Sequence, residues 1–256
     1  MDEHPKKISN LTWEEFETQT DSSIVFYPVG SIEQHGPHLP LRTDSIIAEE
    51  FATRVADQVD GLVAPSFQYG YRSQPKTGGG EDFPGTVGLR GETIQHLIRD
   101  TISGLGDDGV ERIVFVPGHG ENEYPIREGI DLYLEDGGAT EFMIAPWWEL
   151  LSDEVRESVF SDVDGGFPGW PAEHAGVIET SLLMYFRPEL VRRERISDDQ
   201  ANRSPAYSMK PAPADFIPDS GSFYKASHAS AEIGERVSND VLDAFVDGIE
   251  NEWSVL

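Results

Sequence analysis

The sequence predicts an α/β protein, a mostly parallel β-sheet flanked by helices on both faces. Three observations predict it. Short unbroken apolar runs, the mark of strands buried on both sides, recur along the chain. Amphipathic segments of helical period separate them. Polar, metal-capable clusters stand directly behind these strands, where open parallel sheets gather their ligands. The 256 residues suit one domain with a well-buried core, assigned to 1–256.

The elements follow in order. Thr12 and Glu15 form a capping-box pattern that opens a short helix. The run 24-IVFYPVG-30 reads as a buried strand, and Ile47, Phe51 and Val55 mark a helix from Asp44 to Val59. A second strand is 62-LVAPSF-67. Ile94, Leu97, Ile98, Ile102 and Leu105 define a helix that stops at the Asp108-Gly109 turn. Strand 112-RIVFVPG-118 leads to a helix near 123–135, strand 141-EFMIAP-146 to a helix near 149–160. Further helices are expected at 176–186 and 229–252. Between them, 197–222 carries Pro205, Pro211, Pro213 and Pro218 and is read as an ordered surface excursion or a subunit contact rather than a flexible linker.

Composition narrows the function. The formal net charge is -28, from 47 acidic and 19 basic residues, which argues against nucleic acid or an anionic membrane as partner. Lysine is scarce, confined to Lys6, Lys7, Lys76, Lys210 and Lys225. So acidic a foldable chain suggests a surface adapted to a salt-rich cytoplasm, the alternative being an ordinarily acidic mesophilic protein. Without cysteine, any metal must be held by nitrogen and oxygen ligands. The N-terminal MDEHPKKISN lacks the apolar core of a signal peptide, and no run reaches membrane-span length, so a cytoplasmic protein is expected.

The chemistry gathers behind three strands. SIEQHG follows IVFYPVG, HGENE follows RIVFVPG, and WWE follows FMIAP. Glu33 and His35 are two apart, as are His119 and Glu121, and in extended backbone such residues project to one side. Asp44 adds a carboxylate where a helix begins. A lone loop histidine or glutamate is more simply a solvated group; the mirrored E-x-H and H-x-E pairs carry the metal reading. Five ligands exceed the three of one catalytic zinc and suit two ions about 3.5–4 Å apart sharing a carboxylate. Imidazole mixed with carboxylate favours Zn or Mn over Ca or Mg. In 170-WPAEHAGVIETS-181, His174 is the expected proton shuttle, and Glu179 would orient it or the ligands. Trp147, Trp148 and Trp170 offer an aromatic wall or simple packing. His38 is read as structural or as supporting the ligands, and His4, His96 and His228 as surface or packing residues.

Assembled, the stretches 28-PVGSIEQHGPHLPLRTD-44, 71-YRSQPKTGGGEDFPGT-86, 118-GHGEN-122 and 173-EHAGVIETS-181 resemble the creatininase (creatinine amidohydrolase) family, in the family's order. Many members read GHGGN at the third stretch, whereas the creatininase type has a glutamate ligand where Glu121 stands. The resemblance implies Asp44 bridging two metals, Glu33 and His119 on one, and His35 and Glu121 on the other. It implies His174 as acid/base, Trp148 and Trp170 beside the substrate, and Thr77 facing it from a loop of the same or a neighbouring subunit. It also implies a homohexamer built as a trimer of dimers. Gly120 and Pro171 depart from the creatininase pattern, which has an aromatic and an acidic residue there; both alter the pocket rather than the metals. The expected reaction is hydrolysis of a non-peptide, cyclic C–N amide, creatinine to creatine. The alternative is a formamide hydrolase of flavin or deazaflavin precursors, whose phosphate would need Arg42, Arg72 or Lys76. A metallophosphoesterase and a binding protein with structural metals are the readings from other classes.

Overall fold

The structure is a computed structural model and describes residues 6–20, 23–200 and 205–253. His4 and part of the 197–222 segment fall outside these residues. Four parallel strands, β1 (Ile24–Val29), β2 (Leu62–Val63), β3 (Arg112–Pro117) and β4 (Glu141–Ile144), form one sheet in the order β2-β1-β3-β4. Around it lie α1 (Trp13–Thr20), α2 (Thr43–Gln58), α3 (Gly91–Asp107), α4 (Glu123–Glu135), α5 (Trp147–Leu150), α6 (Asp153–Phe160), α7 (Val177–Phe186) and α8 (Ala231–Trp253).

Period-two alternation splits the strands between two cores. Ile24, Phe26, Val114 and Val116 face α2, α7 and α8 through Phe51, Leu182, Val241 and Phe245. Val25, Tyr27, Val29, Ile113 and Phe115 face α3 and α4 through Ile94, Ile98, Ile126 and Ile130. Full burial of one such side chain is worth about 1.5–3 kcal/mol relative to exposure. The predicted class, parallel and covered on both faces, is what the chain forms.

Several boundaries shift for visible reasons. The capping box forms reciprocally: Thr12 N–H donates to Glu15 Oε2 (2.7 Å), and Glu15 N–H to Thr12 Oγ1 (3.3 Å). The strand predicted over 62–67 keeps regular pairing only at Leu62–Val63, with the Ala64 N–H still donating to Phe26 O (2.8 Å) before Pro65. Phe67 nonetheless returns to β1, its N–H donating to Pro28 O (3.1 Å). The helix predicted over 149–160 is two helices, broken at Leu151, with Ser152 Oγ accepting the Val155 N–H (3.3 Å) as a new N-cap. Among the described residues of 197–222, Gln200 bridges to Tyr224, a short 3-10 turn spans Ala214–Phe216, and Phe216 is buried.

The site is placed by the sheet. β1 and β3 pair in register from Ile24↔Arg112 to Val29↔Pro117, so both chains leave the sheet at the same level. β2 lies on the other side of β1, which makes the β1/β3 carboxyl ends the switch point of the sheet. Two glycines bring α2 into this opening: a Cβ on Gly30 would overlap Ser45, and one on Gly118 would overlap the Asp44 carbonyl. Without them the first turn of α2, and Asp44 with it, would stand off the strand ends.

Candidate metal centre

Glu33, His35, Asp44 and His119 meet at that switch point, each only 1–4% exposed. The Glu33 backbone is held by its N–H to Leu41 O (2.9 Å), which folds the loop back on itself. His119 Nδ1 lies 2.9 Å from Glu33 Oε2 and 3.5 Å from Asp44 Oδ2. His35 Nε2 lies 2.9 Å from Asp44 Oδ1. The two oxygens of Asp44 thus face different imidazoles. Among the described residues, metal-capable atoms cluster in three groups, Glu33/Asp44/His119, His35/Asp44/Glu179 and Glu33/His35/His174.

The second nitrogen of each imidazole is anchored by main chain. His35 Nδ1 donates to Glu33 O (3.1 Å) and His119 Nε2 to Tyr71 O (3.0 Å). That is the outer support metal-bound histidines use to fix tautomer and ring plane. The inner atoms are left over: Glu33 Oε1, His35 Nε2 and Asp44 Oδ2 are buried and make no aligned hydrogen bond. The 2.9 Å approach of His35 to Asp44 is therefore proximity without alignment, as expected of ligands aimed at a common point. Unsatisfied buried polar atoms are costly, so this cluster fits a divalent cation.

Electrostatics agree. Burial alone would raise Glu33, yet His119 and then His174 and His35 hold its carboxyl below the usual range. Burial opposes protonation of His35, but Asp44 and Glu179 push it up to about 10. His119 is likewise raised against burial, by Glu33 and Glu121. Burial raises Asp44 and Glu121, and takes Glu179 up to about 7. Ligating imidazoles must be neutral, so metal binding would oppose this upward shift of His35 and His119.

One predicted pair departs from expectation. His119 is extended, but Gly120–Asn122 coil into a 3-10 turn, so residues 119 and 121 do not project to one side. Glu121 sits beyond the His119 ring, Oε2 3.4 Å from Nε2, with Oε1 accepting the Thr77 hydroxyl. Glu179 instead comes within 3.7 Å of His35 Nε2 while Oε2 accepts the Ala175 N–H (2.6 Å). Glu179 makes no hydrogen bond to His174. His174 stacks at a tilt on His35, ring centroids 4.3 Å apart, and burial together with His35 holds its imidazole down to about 3. His38 is buried and donates or accepts at Thr180 Oγ1 (2.9 Å), on α7 rather than at the centre.

A cleft of about 800 Å³ opens from these residues. Thr77, Trp148, Trp170 and His174 line it, with Lys76 and Lys210. Trp147 is the buried pivot of the aromatic wall, with Trp148 and Trp170 nearly perpendicular to it at 5.7 and 5.8 Å. A Cβ on Gly120 would meet only Trp148 Cζ2, at 3.8 Å, so the wall has a gap there. Three residues without a predicted role also belong to the site. Asn122 accepts the Tyr71 N–H (2.8 Å) and donates to Gly30 O (2.9 Å), tying three loops. Glu173, 4% exposed, receives the Ile178 N–H (2.7 Å) at the start of α7. Gln34, also buried, lies between Glu33 and His35. Each adjoins a predicted site residue, and that adjacency was the available signal.

The fold and this buried cluster of imidazoles and carboxylates define a class, and comparison identifies it. The chain matches the creatininase family, described as creatinine amidohydrolase, over residues 9–249, and it belongs to that family of carbon–nitrogen hydrolases. It is 35% identical to the creatinine amidohydrolase of Pseudomonas putida over 96% of both chains. It is 31% identical to the mycofactocin precursor peptide peptidase of Mycolicibacterium smegmatis, over 89% of this chain and 84% of that one. Solved creatininases have the same fold: a Zn–Zn mutant form (TM-score 0.92, 34% identity, 96% of this chain and 98% of that one) and a Mn form (0.91, 34%, 97% and 98%). A creatine complex of a mutant creatininase superposes with a TM-score of 0.91, at 34% identity over 96% and 98%.

Proposed function

We propose that this enzyme hydrolyses the cyclic amide of creatinine to give creatine, using two divalent ions, Zn or Mn. The observation that carries the metal reading is Asp44, whose two oxygens face His35 and His119 separately. Glu33 and His119 would hold one ion, His35 and Glu121 the other, and Asp44 both. Glu121 must swing from Thr77 to do so, while Glu179 braces His35. When bound, the ions supply Lewis acidity, polarising the amide carbonyl and making water nucleophilic near neutral pH.

The chain's own part is placement and proton transfer. Trp148 and Trp170 would flank a flat ring in the cleft that Thr77 also lines. His174, whose protonation burial disfavours, would begin as a base. It takes a proton from the attacking water as the O–C bond forms and returns it to the ring nitrogen as the C–N bond breaks. The similarity to the Pseudomonas putida enzyme across 96% of both chains supports creatinine as substrate.

The second reading is a formamide hydrolase for a phosphate-bearing precursor. Arg42 lies 3.0 Å from Glu49 and Arg72 3.8 Å from Glu81, so both are engaged by carboxylates. Lys76 and Lys210 line the cleft and keep this reading second. Assay of the Zn- or Mn-loaded protein against creatinine, an N-formyl pyrimidine nucleotide and a phosphoester separates them. Creatinine left untouched while the formamide is hydrolysed, with loss in Lys76→Ala, would overturn the first. The same reading includes a homohexamer, measurable by sedimentation. It also includes adaptation to a salt-rich cytoplasm, measurable as a melting temperature that rises with KCl.

A further inference from the structure

Gln34 stands between Glu33 and His35, is 5% exposed, and has no part in the reaction above. Its side-chain amide is fully committed. Nε2 donates to Gly78 O (2.9 Å) and Gly221 O (2.9 Å), and Oε1 accepts the Gly36 N–H (2.9 Å). Turning the amide over would set its oxygen against two carbonyls and its nitrogen against an N–H, so one orientation satisfies all three partners. Both amide hydrogens are then used.

That accounting decides a proton on His174. His174 Nε2 lies 2.7 Å from the Gln34 main-chain carbonyl and 2.9 Å from Gln34 Nε2. No amide hydrogen remains for Nε2 to accept. A bare Nε2 would press its lone pair against the carbonyl, so Nε2 carries the hydrogen and donates it to Gln34 O. His174 Nδ1 has no hydrogen-bond partner among the described residues, and His174 lines the cleft.

The arrangement also binds separate loops around the imidazole. Gly78 follows Thr77, and Gly221 lies near the end of the Pro-rich segment. Gly221 has a φ of +76°, and a Cβ there would overlap Gln34 Oε1, so glycine is required. Two residues on, the Phe223 N–H donates to His174 O (2.9 Å), and its ring meets the imidazole edge-on at 5.5 Å.

We propose that Gln34 is a positioning residue that fixes His174 as the Nε2–H tautomer, leaving Nδ1 as the atom that takes and returns the proton. This rests on the proton-carrying role of His174 given above. The test is ¹⁵N spectroscopy of Zn-loaded protein labelled at histidine, with His174 assigned by its loss in His174→Asn. The expected spectrum has the proton on Nε2 and bare Nδ1 at neutral pH. Gln34→Met, similar in size but without the amide, frees two carbonyls and admits water beside Nε2. It should keep both metals, give mixed tautomers, and lower kcat about tenfold to a hundredfold with KM within about threefold. A proton on Nδ1 in the unaltered protein overturns the inference, whether or not the variant folds. So does Gln34→Met, or Gly221→Ala should Gln34→Met not fold, with unchanged kcat and spectrum. Full turnover in His174→Asn would instead sink the proposed function and this inference with it.

Discussion

The two strand-end loops carry mirrored motifs, E-x-H after β1 and H-x-E after β3, yet fold differently. Glu33 and His35 both turn inward, onto His119 and Asp44 respectively. His119 turns inward as well, but the 3-10 turn at Gly120–Asn122 carries Glu121 past the imidazole to Thr77. A two-residue spacing fixes a common direction only while the backbone is extended. The first loop is held by main-chain bonds to Leu41 and Val87 and by the Gln34 amide. The second is anchored mainly by side chains, Asn122 on Tyr71 and Gly30, His119 on Tyr71 O and Glu121 on Thr77, and Gly120 brings no side chain to oppose the coil. The difference separates a preformed half of the centre from an adjustable half.

Four experiments would break or sharpen that distinction. The largest effect belongs to the carboxylate common to both halves. Asp44→Ala should lose metal at both positions and activity by at least about 10³-fold; two metals per subunit in that variant would remove the bridge. Next, His174→Ala should retain both metals and lose about 10²–10⁴-fold in kcat. Metal lost from that variant would place His174 in the preformed half as a ligand. Third, Glu121→Gln should empty mainly one position, whereas Glu179→Gln should weaken metal affinity about 10–100-fold, as a supporting residue does. The reverse ranking, read by metal titration, would mean that Glu179 is the ligand and the H-x-E pair is not. The smallest effect is at the gap in the wall. Gly120→Tyr should lower KM for creatinine by roughly twofold to tenfold, the scale of an aromatic pair, without altering metal content. An unchanged or higher KM would show that the open wall suits a larger substrate.

Legibility followed the reach of each signal. The parallel sheet could be read because buried strands need continuous apolar runs, as in 112-RIVFVPG-118, and the ladder reproduces that run almost residue for residue. Glu33, His35, Asp44 and His119 could be read because strand ends converge in such folds. Glu121 and Glu179 could not be ranked, since their order depends on a turn at Gly120 that spacing does not encode. Glu173, Gln34 and Asn122 passed unremarked because an amide or a carboxylate beside a ligand looks identical in sequence whether it is solvated or fully buried. The break at Leu151 was hidden for a similar reason: Ser152 caps a helix only once the chain has turned.

The registration of β1 with β3 has a consequence for assembly of the protein itself. Adjacent strands lie about 4.8 Å apart, close to the spacing of paired ions, so the sheet serves as the caliper of the centre. A slip of one residue would move one jaw by about 3.3 Å and invert its side chains. A chain so mispaired would have nowhere to seat the ions, whereas a correctly paired chain gains their binding free energy. Metal binding would thus add its free energy only to chains whose strands are in register, so the chemistry at the end of the sheet would favour the fold that makes it possible.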